Sequence, residues 1–137
     1  MSNGRNAWDV SFSRISWLET VLATHKNVTS AARGKDIVFD IQRRAGRPVS
    51  LLCLDEYVLG LAAVQRALLE FREVGIVFVG GTWNRYTIEA KQYCLDAQIG
   101  LYNAVELSGA LWKDEYWAYH RVDQEGNPVY QTGTERK

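Results

Sequence analysis

Cysteine, proline and long apolar runs are scarce in this chain of 137 residues. The two cysteines, Cys53 and Cys94, lie in apolar stretches without a C-x-x-C partner, so they cannot build a zinc site alone. Free cysteines of this kind suit a reducing cytoplasm. No apolar run approaches the ~20 residues that span a bilayer, and no basic-then-apolar signal pattern opens the chain. We therefore expect a soluble, cytoplasmic protein that does not enter a membrane.

An excess of charge is also lacking. Lys and Arg together number 16, as do Asp and Glu, so the formal net charge is zero. This balance excludes a global electrostatic attraction to nucleic acid or to a membrane surface. Any affinity for a polyanion must come from a local patch.

Prolines occur only at Pro48 and Pro128, and no low-complexity tract is present, so no flexible linker is predicted. A chain of this length is long enough to bury a sizeable core. We expect one domain over residues 1–112, with a hairpin or tail over residues 113–137 that extends the same domain.

The N-terminal half begins with apolar residues at helical spacing, which predict a first helix over residues 8–23. Residues 27–54 then follow the pattern strand, turn, strand, turn, strand, with Gly and Pro in the turns. An apolar stripe predicts a long helix from Glu56 to Val74, ended by Gly75 in the left-handed conformation.

The C-terminal half alternates short apolar strands with capped helices. The run IVFV at residues 76–79 lacks alternation, which is typical of a strand buried on both faces. Thr87 can cap the helix IEAKQYCLDA, IGLY at residues 99–102 is the next strand, and Asn103 with Glu106 resembles a capping box. This order predicts parallel crossovers after an antiparallel start. The predicted fold is therefore α/β, with a mixed sheet of about five strands.

The stretch GIVFVGGTWNRYTIEAKQYCLDAQIGLYNAVELSGAL, residues 75–111, resembles the C-terminal half of the Mrr-like restriction endonuclease domain. In that family an apolar strand precedes a Gly/Ser–Thr loop and a Thr-capped helix, and a short strand and an acidic helix follow. The resemblance covers residues 10–112. It implies a three-layer α/β/α, restriction-endonuclease-like fold and a setting in DNA restriction or antiviral defence, although fold alone does not determine function.

The family's catalytic site requires an Asp at one strand start and, on the next strand, a Glu followed two residues later by a Lys. Residues i and i+2 share one face of a strand, so the carboxylates can hold Mg²⁺ while the Lys polarises water or phosphate. By position Asp36 resembles the Asp, but the Glu and Lys places fall on Leu52 and Leu54, with Cys53 on the opposite face. Leucine offers no oxygen ligand to Mg²⁺. The resemblance therefore implies a degenerate nuclease whose pocket is filled by apolar side chains.

A relocated site is the alternative. Asp55 and Glu56 follow the strand directly, and together with Asp36 they could form a Mg²⁺-dependent catalytic centre. The simpler interpretation of Asp55 and Glu56 is that they are acidic residues in the first turn of the long helix.

Two further sets of residues indicate binding surfaces. The predicted hairpin carries five cations at its two ends, which could contact nucleic-acid phosphates: Arg33, Lys35, Arg43, Arg44 and Arg47. Four aromatic residues cluster near the C-terminus and could form a protein interface or a homodimer contact: Trp112, Tyr116, Trp117 and Tyr119.

Three functions remain open from the sequence. The first is a non-catalytic nuclease-fold module that needs no cofactor and binds DNA, RNA or a partner protein. The second is an active Mg²⁺-dependent endonuclease with a relocated carboxylate site. The third is a protein-interaction subunit without affinity for nucleic acid.

Overall fold

The structure, a computed structural model, describes residues 8–34 and 37–135 and has three layers in the order α/β/α. The central sheet has five strands, and the predicted mixed α/β architecture is confirmed. The described elements, in chain order, are α1 (Phe12–Thr24), β1 (Val28–Arg33), β2 (Val38–Arg43), β3 (Val49–Cys53), β4 (Val58–Leu59), α2 (Leu61–Glu70), β5 (Ile76–Phe78), β6 (Arg85–Tyr86), α3 (Ile88–Asp96), β7 (Gly100–Tyr102), α4 (Ala104–Ala110), a 3₁₀ turn (Tyr116–Ala118), β8 (Arg121–Val122) and β9 (Pro128–Val129).

The strands of the central sheet lie in the order β1-β2-β3-β5-β7. Strands β1, β2 and β3 pair antiparallel, whereas β3, β5 and β7 run parallel. All residues of β5 and β7 are buried, as expected of short strands covered on both faces. Because β1 and β3 both run against β2, the C-terminal ends of β1, β3, β5 and β7 lie at one edge of the sheet. We call the residues that follow these strands (34, 54–56, 79–84 and 103) the carboxyl edge.

Helices α1, α3 and α4 each begin directly after a residue whose side chain caps the helix. Helix α1 begins at Phe12 rather than Trp8, because the Ser11 hydroxyl accepts the Arg14 N–H. Thr87 caps α3 by accepting the Ala90 N–H, and Asn103 and Glu106 form the predicted capping box of α4. Among the described residues, none of the helices is long and apolar enough to cross a membrane.

The long helix predicted over residues 56–74 is wrong in its extent. Its first part contains β4, which pairs with β6 in a separate two-stranded sheet, and α2 begins only after Gly60. Its end is not Gly75: α2 ends at Glu70, and the Gly75 N–H donates to the Ser50 carbonyl, so that residue enters the β5 ladder. The apolar spacing predicted too early a start for this helix, because Tyr57, which was counted in the apolar stripe, is 64% exposed.

The predicted C-terminal hairpin is formed by β8 and β9. The segment that follows returns to the body of the protein. Thr132 forms a parallel bridge with Tyr86, the Gln131 N–H donates to the Tyr86 hydroxyl, and the Gly133 N–H donates to the Tyr86 carbonyl. The C-terminal segment is therefore part of the packed structure.

A fully buried lysine lies beneath this segment. The Lys91 Nζ donates to the Leu101 carbonyl at 3.0 Å and lies 4.3 Å from the centroid of the Tyr102 ring, with Tyr86 and Tyr130 farther out. Burial lowers the pKa of Lys91 to about 8, although nearby Glu106 opposes this shift. The Glu106 Oε2 accepts a hydrogen bond from the Tyr86 hydroxyl at 2.7 Å. Lys91 is thus held in the interior against β7, beside the buried Glu106 and Tyr86.

Candidate functional site

The two leucines at the positions that the resemblance assigns to a catalytic Glu and Lys are packed in the core. Leu52 and Leu54 are both fully buried. Leu52 lies between Val38 and Val77 on the neighbouring strands, and the Leu54 N–H donates to the Phe78 carbonyl. Their side chains therefore leave no space at this position for a hydrated cation.

The carboxylate next in sequence, Asp55, is engaged by two neighbours. Its Oδ1 lies 3.3 Å from the Arg14 Nε and 3.1 Å from the Asn84 Nδ2, so it accepts hydrogen bonds from both. Asn84 also donates to the carbonyls of Glu56 and Val79, which ties the loops after β3 and β5 together. Neither Arg14 nor Asn84 could be singled out from the sequence, because both come from elements distant along the chain.

Glu56 is half-buried beside Asp55. Burial raises the pKa of Glu56, and the nearby Arg66 guanidinium opposes that rise. The predicted partner Asp36 lies outside the described residues, as does Lys35. Within residues 8–34 and 37–135, no three His, Cys, Asp or Glu side chains come together in a way that could hold a metal ion.

The four described cations of the predicted hairpin do not form one patch. Arg33 is exposed at the end of β1, on the carboxyl edge, and it pairs across the hairpin with Phe39. Arg43, Arg44 and Arg47 lie at the opposite edge, since Arg43 pairs with Val28. The strands of the hairpin therefore separate Arg33 from the other arginines by about five residues at ~3.3 Å each.

Arg43, which the sequence places among the possible phosphate contacts, is buried: the residue is 8% exposed. Its Nε donates to the Arg47 carbonyl at 2.8 Å, and its Nη1 donates to the carbonyls of Leu111 and Lys113 at 3.2 and 2.6 Å. The guanidinium also lies 5.6 Å from the Tyr116 ring centroid. Desolvation lowers the pKa of Arg43, against the attraction of Asp114. Arg43 is a buried joint between the β2–β3 loop and the end of α4.

Asn27 is a second buried joint at the same place. Its Oδ1 accepts the Ala45 N–H at 2.9 Å, and its Nδ2 donates to the carbonyls of Ala45 and Leu111 at 2.9 and 2.8 Å. Its own carbonyl accepts the Arg44 N–H. The start of β1, the β2–β3 loop and the end of α4 are therefore held in one fixed arrangement.

Arg47 joins the two predicted binding surfaces. Its guanidinium donates to both carboxylate oxygens of Asp114, at 3.0 and 2.8 Å, and lies 5.3 Å from the Trp117 ring centroid. The hydrogen bonds from Arg47 hold the pKa of Asp114 down at about 2. The hairpin cations and the C-terminal aromatic residues, far apart along the chain, thus meet in space.

The exposed residues around these joints are mainly basic and aromatic. Trp112 is 53% exposed, and the His25 ring packs against it at 5.3 Å. The His25 Nδ1 accepts the Asn27 N–H while its Nε2 donates to the Ser108 carbonyl, so this ring is held in place from both sides. The Arg44 Nε donates to the Lys26 carbonyl. We call this surface the basic–aromatic end, and its residues are Lys26, Arg44, Arg47, Trp112, Lys113 and Trp117.

The four predicted aromatic residues differ in their exposure. Tyr116 belongs to the core, and its hydroxyl occupies the place that a side chain at Gly75 would need. Tyr119 is half-buried, and its carbonyl accepts the Tyr102 hydroxyl. Trp117 is also half-buried, so among these four only Trp112 presents an exposed ring. The aromatic surface is therefore smaller than the sequence predicts.

Comparisons with known proteins identify no relative. No protein-family model, no curated protein sequence and no solved structure matches the chain. The functional proposals below are supported by the geometry of this chain and by the resemblance of residues 75–111.

Proposed function

We propose that the protein is a restriction-endonuclease-like module that binds nucleic acid without cleaving it, in a setting of DNA restriction or antiviral defence. The observation that carries this proposal is the convergence of four exposed cations on the buried joints Arg43 and Asn27: Lys26, Arg44, Arg47 and Lys113. A fixed group of cations on a neutral protein matches the local patch that phosphate recognition requires.

The local charge of the basic–aromatic end supports a polyanionic partner. Asp114 and Glu115 are the acidic residues in the segment beside Lys113, and Asp114 is neutralised by its bidentate pair with Arg47. Lys26, Arg44 and Lys113 are exposed and have no carboxylate within ion-pair distance among the described residues. These three cations can therefore meet phosphates without first breaking an ion pair.

The packing of the carboxyl edge supports binding without the family's cleavage chemistry. Leu52 and Leu54 supply neither a metal ligand nor a proton-transfer group, and both are enclosed by the core. Asp55 is held by Arg14 and Asn84. A Mg²⁺-dependent centre built on Asp36, Asp55 and Glu56 is the rival proposal, and it requires plasmid nicking that depends on Mg²⁺ and is lost in Asp55→Ala.

Salt-dependent binding tests the proposal. Three phosphate contacts, made by Lys26, Arg44 and Lys113, give a slope of log affinity against log salt of about −2 to −2.7, so raising salt from about 50 to about 200 mM weakens binding roughly 20- to 40-fold. In fluorescence anisotropy with a labelled oligonucleotide, Arg44→Ala combined with Lys113→Ala should reduce that slope by about 1.5 to 2.

Arg33→Ala is the matched control, because it removes an exposed arginine from the carboxyl edge. It should leave both affinity and slope nearly unchanged. Absence of oligonucleotide binding by the wild-type protein, or equal losses in the control and the double variant, contradicts the proposal.

A protein partner is the second candidate, and the exposed Trp112 ring favours it. A homodimer through this surface would give a higher mass in sedimentation for the wild type and a monomer for Trp112→Ala. That result, without oligonucleotide binding, would favour the interaction subunit.

A further inference from the structure

We propose that the basic–aromatic end takes single-stranded nucleic acid, with one base stacked on Trp112 and the adjoining phosphates held by Lys26, Arg44 and Lys113. This inference rests on the proposed function and names the class of nucleic acid. Its support comes from the exposure, orientation and neighbours of one ring.

The Trp112 ring is both exposed and held in place. It is 53% exposed although it adjoins the core residues Ala110 and Leu111. His25 packs against it with an interplanar angle of 47°, so the imidazole meets the indole at a tilt rather than covering it as a parallel stack. Because His25 is itself bonded through both ring nitrogens, the indole has a fixed neighbour. A ring positioned in this way offers a stacking surface at little cost in side-chain entropy.

Two cations directly follow the two aromatic residues in the sequence, and a third is hydrogen-bonded to one of them. Lys26 follows His25 and Lys113 follows Trp112, while Arg44 is joined to Lys26 by the hydrogen bond from its Nε. Each ring therefore has a cation at the next position, and a third cation lies beside them. Proteins that bind single strands combine such cations with aromatic rings on which successive bases stack.

The exposed Trp112 ring favours a single strand over a duplex as the ligand. In a duplex the bases are stacked on one another, and the backbone presents mainly phosphates and sugars to a protein surface. A duplex would thus use the cations and leave the Trp112 ring with no base to contact. A single strand can turn an unstacked base onto that ring. The 2′-hydroxyl does not enter the argument, so DNA and RNA strands share the required chemistry.

An abasic strand separates stacking from phosphate binding. We would measure anisotropy with labelled strands of about 12 nucleotides, as DNA and as RNA, and with an abasic DNA strand of equal length. The native DNA strand should bind the wild-type protein about 5- to 150-fold more tightly than the abasic strand, as expected for one stacked base. Trp112→Ala should reduce the affinity for the native strand to that for the abasic one and leave abasic binding unchanged.

Trp83→Ala is the control for loss of an exposed ring, because Trp83 is 80% exposed on the loop after β5 at the carboxyl edge. Trp112→Phe keeps a ring and should retain most of the preference for native strands, and circular dichroism establishes that each variant is folded. Equal affinity of wild-type protein for native and abasic strands overturns this inference while leaving the proposed function intact. Binding of a duplex of the same sequence but of neither single strand also overturns this inference alone, whereas failure to bind the duplex and both single strands overturns the proposed function itself.

Discussion

At the carboxyl edge the charged side chains of Asp55 and Arg14 form an ion pair with each other, whereas at the basic–aromatic end most of the charged side chains face the solvent. Asp55 is held by Arg14 and Asn84, and the strand positions beneath it are filled by leucine. At the other end a buried arginine, Arg43, donates from its Nε and Nη1 to three main-chain carbonyls. The cations around it, including Lys26 and Arg44, remain exposed.

This difference shows that an arginine's role depends on where its hydrogen bonds go. Arg43 and Arg44 are neighbours in sequence, yet Arg43 is buried and Arg44 is exposed. Arg43 is the last residue of β2 and its guanidinium reaches the carbonyls of Leu111 and Lys113, whereas Arg44 begins the turn that follows the strand. The buried arginine organises the loop, and the exposed one is available to a ligand. Three sets of variants test this difference between the two ends of the sheet.

Introducing the Glu and Lys of the restriction-endonuclease motif at positions 52 and 54 should have the largest effect. Leu52→Glu combined with Leu54→Lys places two charges at fully buried positions, so we expect a loss of more than about 5 kcal/mol in the free energy of unfolding. Urea denaturation measures it. Leu52→Met with Leu54→Met is the matched control and should cost less than about 1.5 kcal/mol. A stable, folded Glu/Lys variant would mean that these positions open onto solvent after all.

Removing the buried joint at the other edge should have an intermediate effect. Arg43→Met leaves the carbonyls of Arg47, Leu111 and Lys113 without this donor, which predicts a loss of about 3 kcal/mol in the free energy of unfolding. Arg44→Met, one residue away and exposed, should change stability by no more than about 0.5 kcal/mol. Equal effects of the two variants in chemical denaturation would contradict the assignment of Arg43 as a joint.

The Arg47–Asp114 pair should give the smallest effect, since both side chains are about half exposed. The pKa of Asp114 is about 2 in the folded protein, below its ordinary 3.8, because Arg47 donates to the carboxylate. The pair therefore stabilises the fold above pH 3.8, and this contribution is lost as the pH falls through about 2. An NMR titration of the Asp114 carboxyl group checks the value. Arg47→Ala should return that pKa toward 3.8, and an unchanged pKa in the variant would assign the shift to another cause.

Most of the fold was predictable from local signals. Unbroken apolar runs mark β5 and β7, and the caps Thr87 and Asn103 mark the helices that follow them, because strand burial and capping each act over a few residues. The helix predicted from Glu56 was too long because a two-residue strand, β4, interrupts it. That strand forms only by pairing with β6, which lies far along the chain, so no local pattern could reveal it.

The candidate site was predictable in its parts but not in its assembly. The sequence indicates the hairpin arginines and the C-terminal aromatic residues as two separate surfaces. The contacts of Arg47 with Asp114 and Trp117 bring these surfaces together. Lys26 and Lys113 were missed because each is a single lysine without a motif. The hydrogen bonds of Asn27, Arg43 and Arg44 place them at the same end.

Residue identity and short-range periodicity were enough to predict the element types, the mixed sheet and the lack of oxygen ligands at positions 52 and 54. Which charges are buried and which remain exposed is set by the packing of the folded chain. Burial depends on contacts between residues far apart in the chain, such as those of Arg43 with Leu111 and Lys113, and spacing along the sequence carries no record of them.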